Sequence, residues 1–138
     1  MNVTESIVIA AGPDAVWEVG GDVGTVADWI PAIEKSHMVG DVRHATFAGG
    51  GGDATERIVE RDDAARYYDY EYLTGPLPLE FYRSRFAVNE HPDGAEVVWS
   101  AEFRAGSAEE EAGLAEAIAG IYGAALVELR DRLTTGAG

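Results

Sequence analysis

The sequence predicts an α+β domain in which a curved, seven-stranded antiparallel sheet wraps one long C-terminal helix. Three observations carry this expectation. Residues 33–104 read as successive strands separated by turn signals, and residues 108–134 repeat apolar positions at helical spacing. Between the first strand and this run lie two short helical segments. A sheet curling around an amphipathic helix buries the apolar face of every element.

The elements follow in order. "VTESIVIA", residues 3–10, is rich in β-branched residues and alternates as a strand does. "AGPDAVWEVGGD" offers Pro13 for the first turn of a short helix and Asp14 for its positive end. "VGTVADWIPAI" continues as a second short helix that Pro31 stops, because the residue before a proline resists the α conformation. Strands are expected at 34–40, 42–48, 54–62, 65–74, 80–90 and 95–104.

The last two strands meet at "HPDGAEV", where Asp93-Gly94 favours a tight hairpin. With Pro92 facing Ala95, Val88 faces Trp99 and Ser84 faces Phe103. Tyr82, Ser84, Phe86 and Val88 then share an apolar face with Val97, Trp99, Ala101 and Phe103, and Arg85 meets Glu102 on the solvent face. The tail begins with Ser107 as N-cap and three glutamates in the first turn. Its apolar face is expected to hold Leu114, Ala117, Ile118, Ile121, Ala125, Leu129 and Leu133. Gly113, Gly120 and Gly123 mark either close approaches, room for a ligand, or tolerant positions.

At 138 residues the chain is expected to form one domain, 1–138, with a core large enough to need no covalent staple. The absence of cysteine excludes a disulfide scaffold and a thiolate zinc site. His37, His44 and His91 form no metal-ligand spacing, so neither a metal nor a cofactor is expected. The formal charge of −15 sets 25 acidic residues against ten basic ones, of which Lys35 is the single lysine. Such a surface repels phosphate backbones and anionic lipid, so no nucleic-acid partner and no membrane insertion are expected. The N-terminal residues lack a leader pattern and no uninterrupted apolar run of about 18 residues occurs, which points to a cytoplasmic protein, monomeric or homodimeric.

The run "FAGGGGDATER" raises the question of a phosphate loop, since Gly49–Ala54 satisfies G-x-G-x-x-A. A dinucleotide loop requires a helix directly after it, whose free amides meet the pyrophosphate. The segment that follows, "ATERIVERDD", reads instead as a strand, and Asp53 sets a negative charge where phosphate would lie. The glycines are a hairpin turn. With a loop near 48–53, Phe47 faces Ala54, and Arg43 and Glu56 become diagonal neighbours on a face shared with Ala45, Phe47 and Ile58. Charges on an apolar face are costly unless paired, so the two form either a structural ion pair or the polar end of a pocket.

Tyr68, Tyr70 and Tyr72 alternate onto one face of their strand, expected to be the interior because Tyr82, Phe86 and Trp99 already make it aromatic. Trp17 and Trp29 suit the packing of the short helices onto the sheet, and "TGPLPL" at 74–79 is a stiff connection at the mouth of any cavity. His37 is expected to be a surface or ordinary strand residue, His44 to point outward and His91 to be exposed in its turn.

Taken in order, "SIVIAAGPDAVWEV", "ADWIPAI", "VGDVRHATF", "TERIVERDD", "YDYEYLTGPLPLEFYRSRF", "VVWSAEF" and the C-terminal helix resemble the START-like, or SRPBCC, superfamily, and in particular its polyketide cyclase/dehydrase branch. The resemblance covers essentially the whole chain. It implies a helix-grip fold with an internal hydrophobic cavity for a small hydrophobic or aromatic, polyketide-like metabolite. By resemblance Arg43 and Glu56 match a polar pair of this branch, and Tyr70, Pro78, Tyr82 and Trp99 match recurrent strand positions. Arg43, Glu56 and Tyr70 are the candidates for catalysis of a cyclisation or dehydration. Trp29, Phe47, Ile58, Tyr72, Tyr82, Phe86, Trp99, Ile118 and Tyr122 are the candidates for ligand contact. A non-catalytic binding or carrier protein using the same pocket is the alternative.

Overall fold

The computed structural model describes residues 1–135, and the last three residues of the expected 1–138 domain lie outside the described residues. The chain runs β1 (Asn2–Ile9), α1 (Pro13–Gly20), a 3-10 turn (Val26–Asp28), β2 (Ile33–Val39), β3 (Val42–Phe47), β4 (Gly52–Asp62), β5 (Tyr67–Thr74), β6 (Phe81–His91), β7 (Gly94–Arg104) and α2 (Ala108–Thr135). The seven strands form one antiparallel sheet in the order β1-β7-β6-β5-β4-β3-β2, and α2 packs across β1 and β7. This is the helix-grip arrangement. Pro13 opens α1 as expected, whereas the second short helix is a single 3-10 turn that ends before Pro31.

α2 is capped as the sequence indicates, with Glu110 N donating to Ser107 Oγ at 3.1 Å. Its inner face carries Leu114, Ile118, Tyr122, Ala125, Leu126 and Leu129, all buried. Ala117, expected on that face, is exposed. Tyr122 and Leu126, four residues apart, define the inner stripe instead. A Cβ at Gly113 or Gly120 would meet nothing within 4 Å, so neither marks a close approach, while one at Gly123 would lie 3.3 Å from Glu5 Oε1. By length and composition α2 is apolar enough to cross a membrane, with a mean hydropathy of 1.4. In this fold 33% of that stretch is buried against the protein.

The β6–β7 hairpin has the expected faces but a different register. His91 pairs with Gly94, Phe86 with Trp99, Ser84 with Ala101 and Tyr82 with Phe103. The turn is centred on Pro92-Asp93, one position earlier than expected, which shifts every cross-strand partner by two residues. A shift of two preserves the side-chain period, so Tyr82, Ser84, Phe86, Val88, Val97, Trp99, Ala101 and Phe103 are all buried. The expected pairing of Arg85 with Glu102 is lost. Arg83 stands opposite Glu102, and Arg85 Nε reaches Asp69 Oδ1 on β5 at 2.7 Å, with Arg83 Nη2 on Asp69 Oδ2 at 2.9 Å. Despite the cost of burying it, these two guanidiniums hold the Asp69 carboxyl below the usual range.

The same two-residue shift of register occurs at the glycine run. Phe47 pairs with Gly52, Ala45 with Ala54 and Arg43 directly with Glu56. A 3-10 turn over Ala48–Gly50 makes the reversal, and a strand follows it. Gly94 carries the clearest backbone constraint of the sheet, with φ +136° and no room for a Cβ, which would run into Ile9 O and the backbone of Ala11. Gly94→Ala therefore both strains the turn and pushes the hairpin off the end of β1. Its expected cost is about 1–3 kcal/mol, read from urea unfolding.

Candidate functional site

The concave face of the sheet is filled unevenly. Beneath α1, Trp29, Phe86 and Trp99 pack together, with ring centroids 5.7 Å apart for Trp29–Phe86 and 5.6 Å for Phe86–Trp99. Gly20 brings the α1 backbone so close that a Cβ there would sit 2.7 Å from Phe86 Cζ. Toward β2–β5 the filling stops, and a cavity of about 60 Å³ remains. Its walls come from Arg43, Ala45 and Phe47 of β3, Ala54 and Glu56 of β4, and Tyr70 and Tyr72 of β5. Tyr82, Trp99, Ile118 and Tyr122 close it from β6, β7 and α2, and Ile30, Ile33, Leu77, Leu79 and Ile121 complete it.

The structure thus brings together Arg43, Glu56, Tyr70, Phe47, Tyr72, Tyr82, Trp99, Ile118 and Tyr122. It leaves Trp29, Phe86 and Ile58 out. Trp29 and Phe86 lie on the inward face but fill the α1 end. Ile58 is half-buried beyond Glu56, where the Arg43 guanidinium lies over the neighbouring tyrosine rings. Ile30, Ile33, Ile121, Leu77 and Leu79 were not expected in the lining. Ala45 and Ala54 were legible as sharing the Arg43 face, and Leu77 and Leu79 belong to the stiff segment at the cavity mouth. Nothing in the pattern singled out Ile30 or Ile33. Trp29 Nε1 is buried without a hydrogen-bond partner, alone in this respect among the described side chains.

Arg43 is 2% exposed, and Glu56 faces it across the β3–β4 ladder with Nε donating to Oε1 at 2.9 Å. Arg43 Nη1 also donates to Tyr68 Oη at 3.2 Å and to Val23 O at 3.3 Å. The guanidinium carbon lies 4.7 Å from the Tyr70 ring centre and 5.6 Å from that of Tyr68. Burial works against the cation, but Tyr68, Glu56 and Tyr70 outweigh it and raise the Arg43 pKa. Among the described residues, no hydrogen bond engages Arg43 Nη2 or Glu56 Oε2.

At the foot of the cavity four hydroxyls and an indole converge. Tyr82 Oη and Tyr122 Oη are in close hydrogen-bond contact, and Tyr70 Oη lies 3.2 Å from Tyr82 Oη. Ser84 Oγ lies 2.8 Å from Tyr122 Oη and donates to Ser100 O at 2.8 Å. Trp99 donates from Nε1 to Ser84 Oγ at 3.1 Å and to Tyr70 Oη at 3.3 Å, and its ring stacks on Tyr122 with centroids 4.0 Å apart. Burial pushes the Tyr70 phenol up to about 12 and raises Tyr82 and Tyr122 as well. At the mouth, Tyr72 Oη accepts the Leu77 N–H at 3.0 Å. Gly75 is required there because a Cβ would collide with the Tyr72 hydroxyl.

The three histidines stay outside this site. His37 and His44 stack on each other across β2–β3 with ring centroids 4.9 Å apart, and His91 sits in the β6–β7 turn. No group of three metal-binding side chains occurs among the described residues.

A strongly curved sheet gripping one long helix around a small cavity, polar at one wall and at its foot, defines the helix-grip class of domain. The particular family follows from the sequence. Residues 1–134 match the family described as polyketide cyclase / dehydrase and lipid transport, and the chain belongs to it. Its fold is similar to that of the protein XoxI from Bacillus cereus, at 30% identity and a TM-score of 0.90, covering 99% of this chain and 98% of that one. It is also similar to the Zhui aromatase/cyclase from Streptomyces sp. R1128, at 22% identity and a TM-score of 0.75, covering 100% and 98%. A norcoclaurine synthase point mutant from Thalictrum flavum, solved with a transition-state analogue, shares the fold at 19% identity and a TM-score of 0.77, covering 100% and 96%. No curated protein matches this sequence.

Two measurements check the energetics. Arg43→Met leaves the Glu56 carboxylate at an apolar wall without its cation, and is expected to cost about 3 kcal/mol. The double variant Arg43→Met/Glu56→Met is expected to recover most of that loss, so urea unfolding of both singles and the double yields a coupling energy above 1 kcal/mol, as in contacting pairs generally (roughly 0.5–3). The second concerns alkali. Folding holds Tyr70, Tyr82 and Tyr122 protonated, so their contribution is complete below the ordinary phenol value of 10.0 and is lost as pH rises through their higher folded values. Phenolate absorbance in an alkaline titration is expected to show these three ionising only as the protein unfolds.

Proposed function

We propose that this protein binds a small hydrophobic or aromatic, polyketide-like metabolite in the cavity and promotes its cyclisation or dehydration at the Arg43–Glu56 wall. The observation that carries this reading is a buried, spare-handed ion pair on a wall otherwise made by Ala45, Phe47 and Ala54. Arg43 keeps Nη2 free to hydrogen-bond a carbonyl oxygen. Glu56 keeps Oε2 free to take a proton from the adjacent carbon, and charge developing on that oxygen meets the guanidinium. The carbanion equivalent then attacks a second carbonyl of the same chain, and Glu56 returns the proton to the new alkoxide or assists its loss as water. No metal is needed for these steps.

A volume of about 60 Å³ is room for about two waters, whose share of the liquid is ~30 Å³ each. A ring-sized ligand therefore enters only when side chains at the mouth move, and Tyr72, Leu77 and Leu79 are the ones that close it. Carriage without chemistry is the second reading, favoured by the engagement of Arg43 with Tyr68, Val23 O and Glu56, which also suits a structural role.

Native mass spectrometry of the gently purified protein is expected to retain an apolar metabolite. With that metabolite or its linear precursor, Glu56→Gln is expected to lower kcat by at least ~10²-fold while binding persists. Unchanged turnover in Glu56→Gln removes the catalytic role from this pair, and a bound metabolite that never turns over leaves the carrier.

A further inference from the structure

The hydroxyl cluster at the foot of the cavity has a direction, and that direction sets the chemistry of the ligand group it meets. Its two ends are atoms with one role each. Trp99 Nε1 only donates, and it lies 3.3 Å from Tyr70 Oη and 3.1 Å from Ser84 Oγ. Ser100 O only accepts, and it takes the Ser84 proton at 2.8 Å.

The protons between these ends are then assigned by elimination. With its proton on Ser100, Ser84 Oγ can only accept, so Tyr122 Oη donates to it across 2.8 Å. Tyr122 has no second proton, so Tyr82 Oη donates to Tyr122. Tyr122 has no proton left for Tyr70 Oη, 3.5 Å away, so Tyr70 donates to Tyr82 across 3.2 Å, and it shares the Trp99 indole proton with Ser84 Oγ. Every hydroxyl proton is used once and in the same sense. Turning one toward the cavity would leave two buried oxygens facing each other with no proton between them.

We infer that the Tyr70–Tyr82–Tyr122 cluster meets its ligand as a hydrogen-bond acceptor, and so selects a hydroxyl or N–H group, while the donor for a ligand carbonyl is Arg43 Nη2. The ligand class this describes is a neutral compound carrying both a hydrogen-bond donor and a carbonyl, such as a hydroxylated aryl ketone. The net charge of −15 and the Glu56 carboxylate at the wall both disfavour an anion in the same place. The inference rests on the cavity-binding reading above, and it reverses the role that buried tyrosines would otherwise suggest, namely donation to a ligand carbonyl.

Three probes of matched size separate the possibilities: 4-hydroxyacetophenone and 4-aminoacetophenone, which carry a donor, and 4-fluoroacetophenone, which does not. Binding is followed below neutral pH, where the phenol is uncharged, by the shift of the Trp99 indole N–H in proton–nitrogen correlation spectra, assigned with Trp99→Phe. Both donor probes are expected to bind the wild-type protein about ten-fold more tightly than the fluoro compound. Ser84→Ala removes the acceptor of the Tyr122 proton, frees that proton for the cavity, and is expected to shrink the ratio to about three-fold or less. The same spectrum shows whether the variant is folded, and the wild-type ratio decides the matter in either case. Equal or tighter binding of 4-fluoroacetophenone overturns the inference and leaves the cavity reading intact. Absence of binding by all three overturns the cavity reading, and the inference falls with it.

Discussion

One helix cannot cover the concave face of a seven-stranded sheet. Strands stand ~4.8 Å apart, so seven of them span roughly 29 Å before curvature, whereas a helix with its side chains is ~10–12 Å across. α2 lies over β1 and β7 at one side of the sheet, and the interior toward β2–β5 has to be filled by side chains alone. The aromatic residues of this chain follow from that geometry. Trp29, Tyr68, Tyr70, Tyr82, Phe86 and Trp99 are buried where no backbone element is available, and each removes more apolar surface from water than an aliphatic residue could. What they do not fill is the cavity.

Filling a sheet with phenols and a guanidinium rather than aliphatic side chains brings polar atoms inside, and each has to be satisfied. Arg43 manages this with a carboxylate, a phenol, a carbonyl and two aromatic faces. The phenols manage it with one another and with Ser84 and Trp99. Apolar residues of equal volume in place of such an ion pair are often neutral or even stabilising. Stability alone therefore gives no reason for the Arg43–Glu56 pair to sit beside a cavity. The convex face offers the contrast, because Asp69 between Arg83 and Arg85 borders an open groove and uses both of its oxygens.

Side-chain parity was legible in the sequence, and position along the sheet was not. Both hairpins are centred one residue earlier than their turn signals suggest, yet the inward residues of these strands stay inward, because a two-residue slip leaves a period of two unchanged. That slip made Arg43 and Glu56 direct partners and took Arg85 away from Glu102. Parity also explains why Trp29, Phe86 and Ile58 could not be told from true lining residues. They share the inward face with Trp99 or Glu56, and what separates them is the distance from α1 to the cavity, a property of sheet curvature and of the close Gly20–Phe86 approach. The chemistry of Leu77 and Leu79 is visible in "TGPLPL", but their reach into the cavity depends on how Tyr72 folds back over Gly75, which no local pattern encodes.

The cavity is therefore polar in two places of opposite character. The Arg43 wall presents a donor beside a carboxylate oxygen, and on the inferred proton order the foot presents phenolic lone pairs whose protons are committed deeper in the protein. Between them lie Ala45, Ala54, Phe47 and Ile118, which offer no polar atom beyond the backbone. An apolar pocket of this size would hold a ligand in many orientations of similar energy. Two unlike polar ends a few side chains apart remove that freedom, because reversing a ligand would set donor against donor at Arg43 and leave a buried acceptor unpaired at the foot. The proton transfer proposed at this wall requires orientation relative to Glu56, and on the inferred proton order the hydroxyl cluster would supply it without touching the reacting atoms.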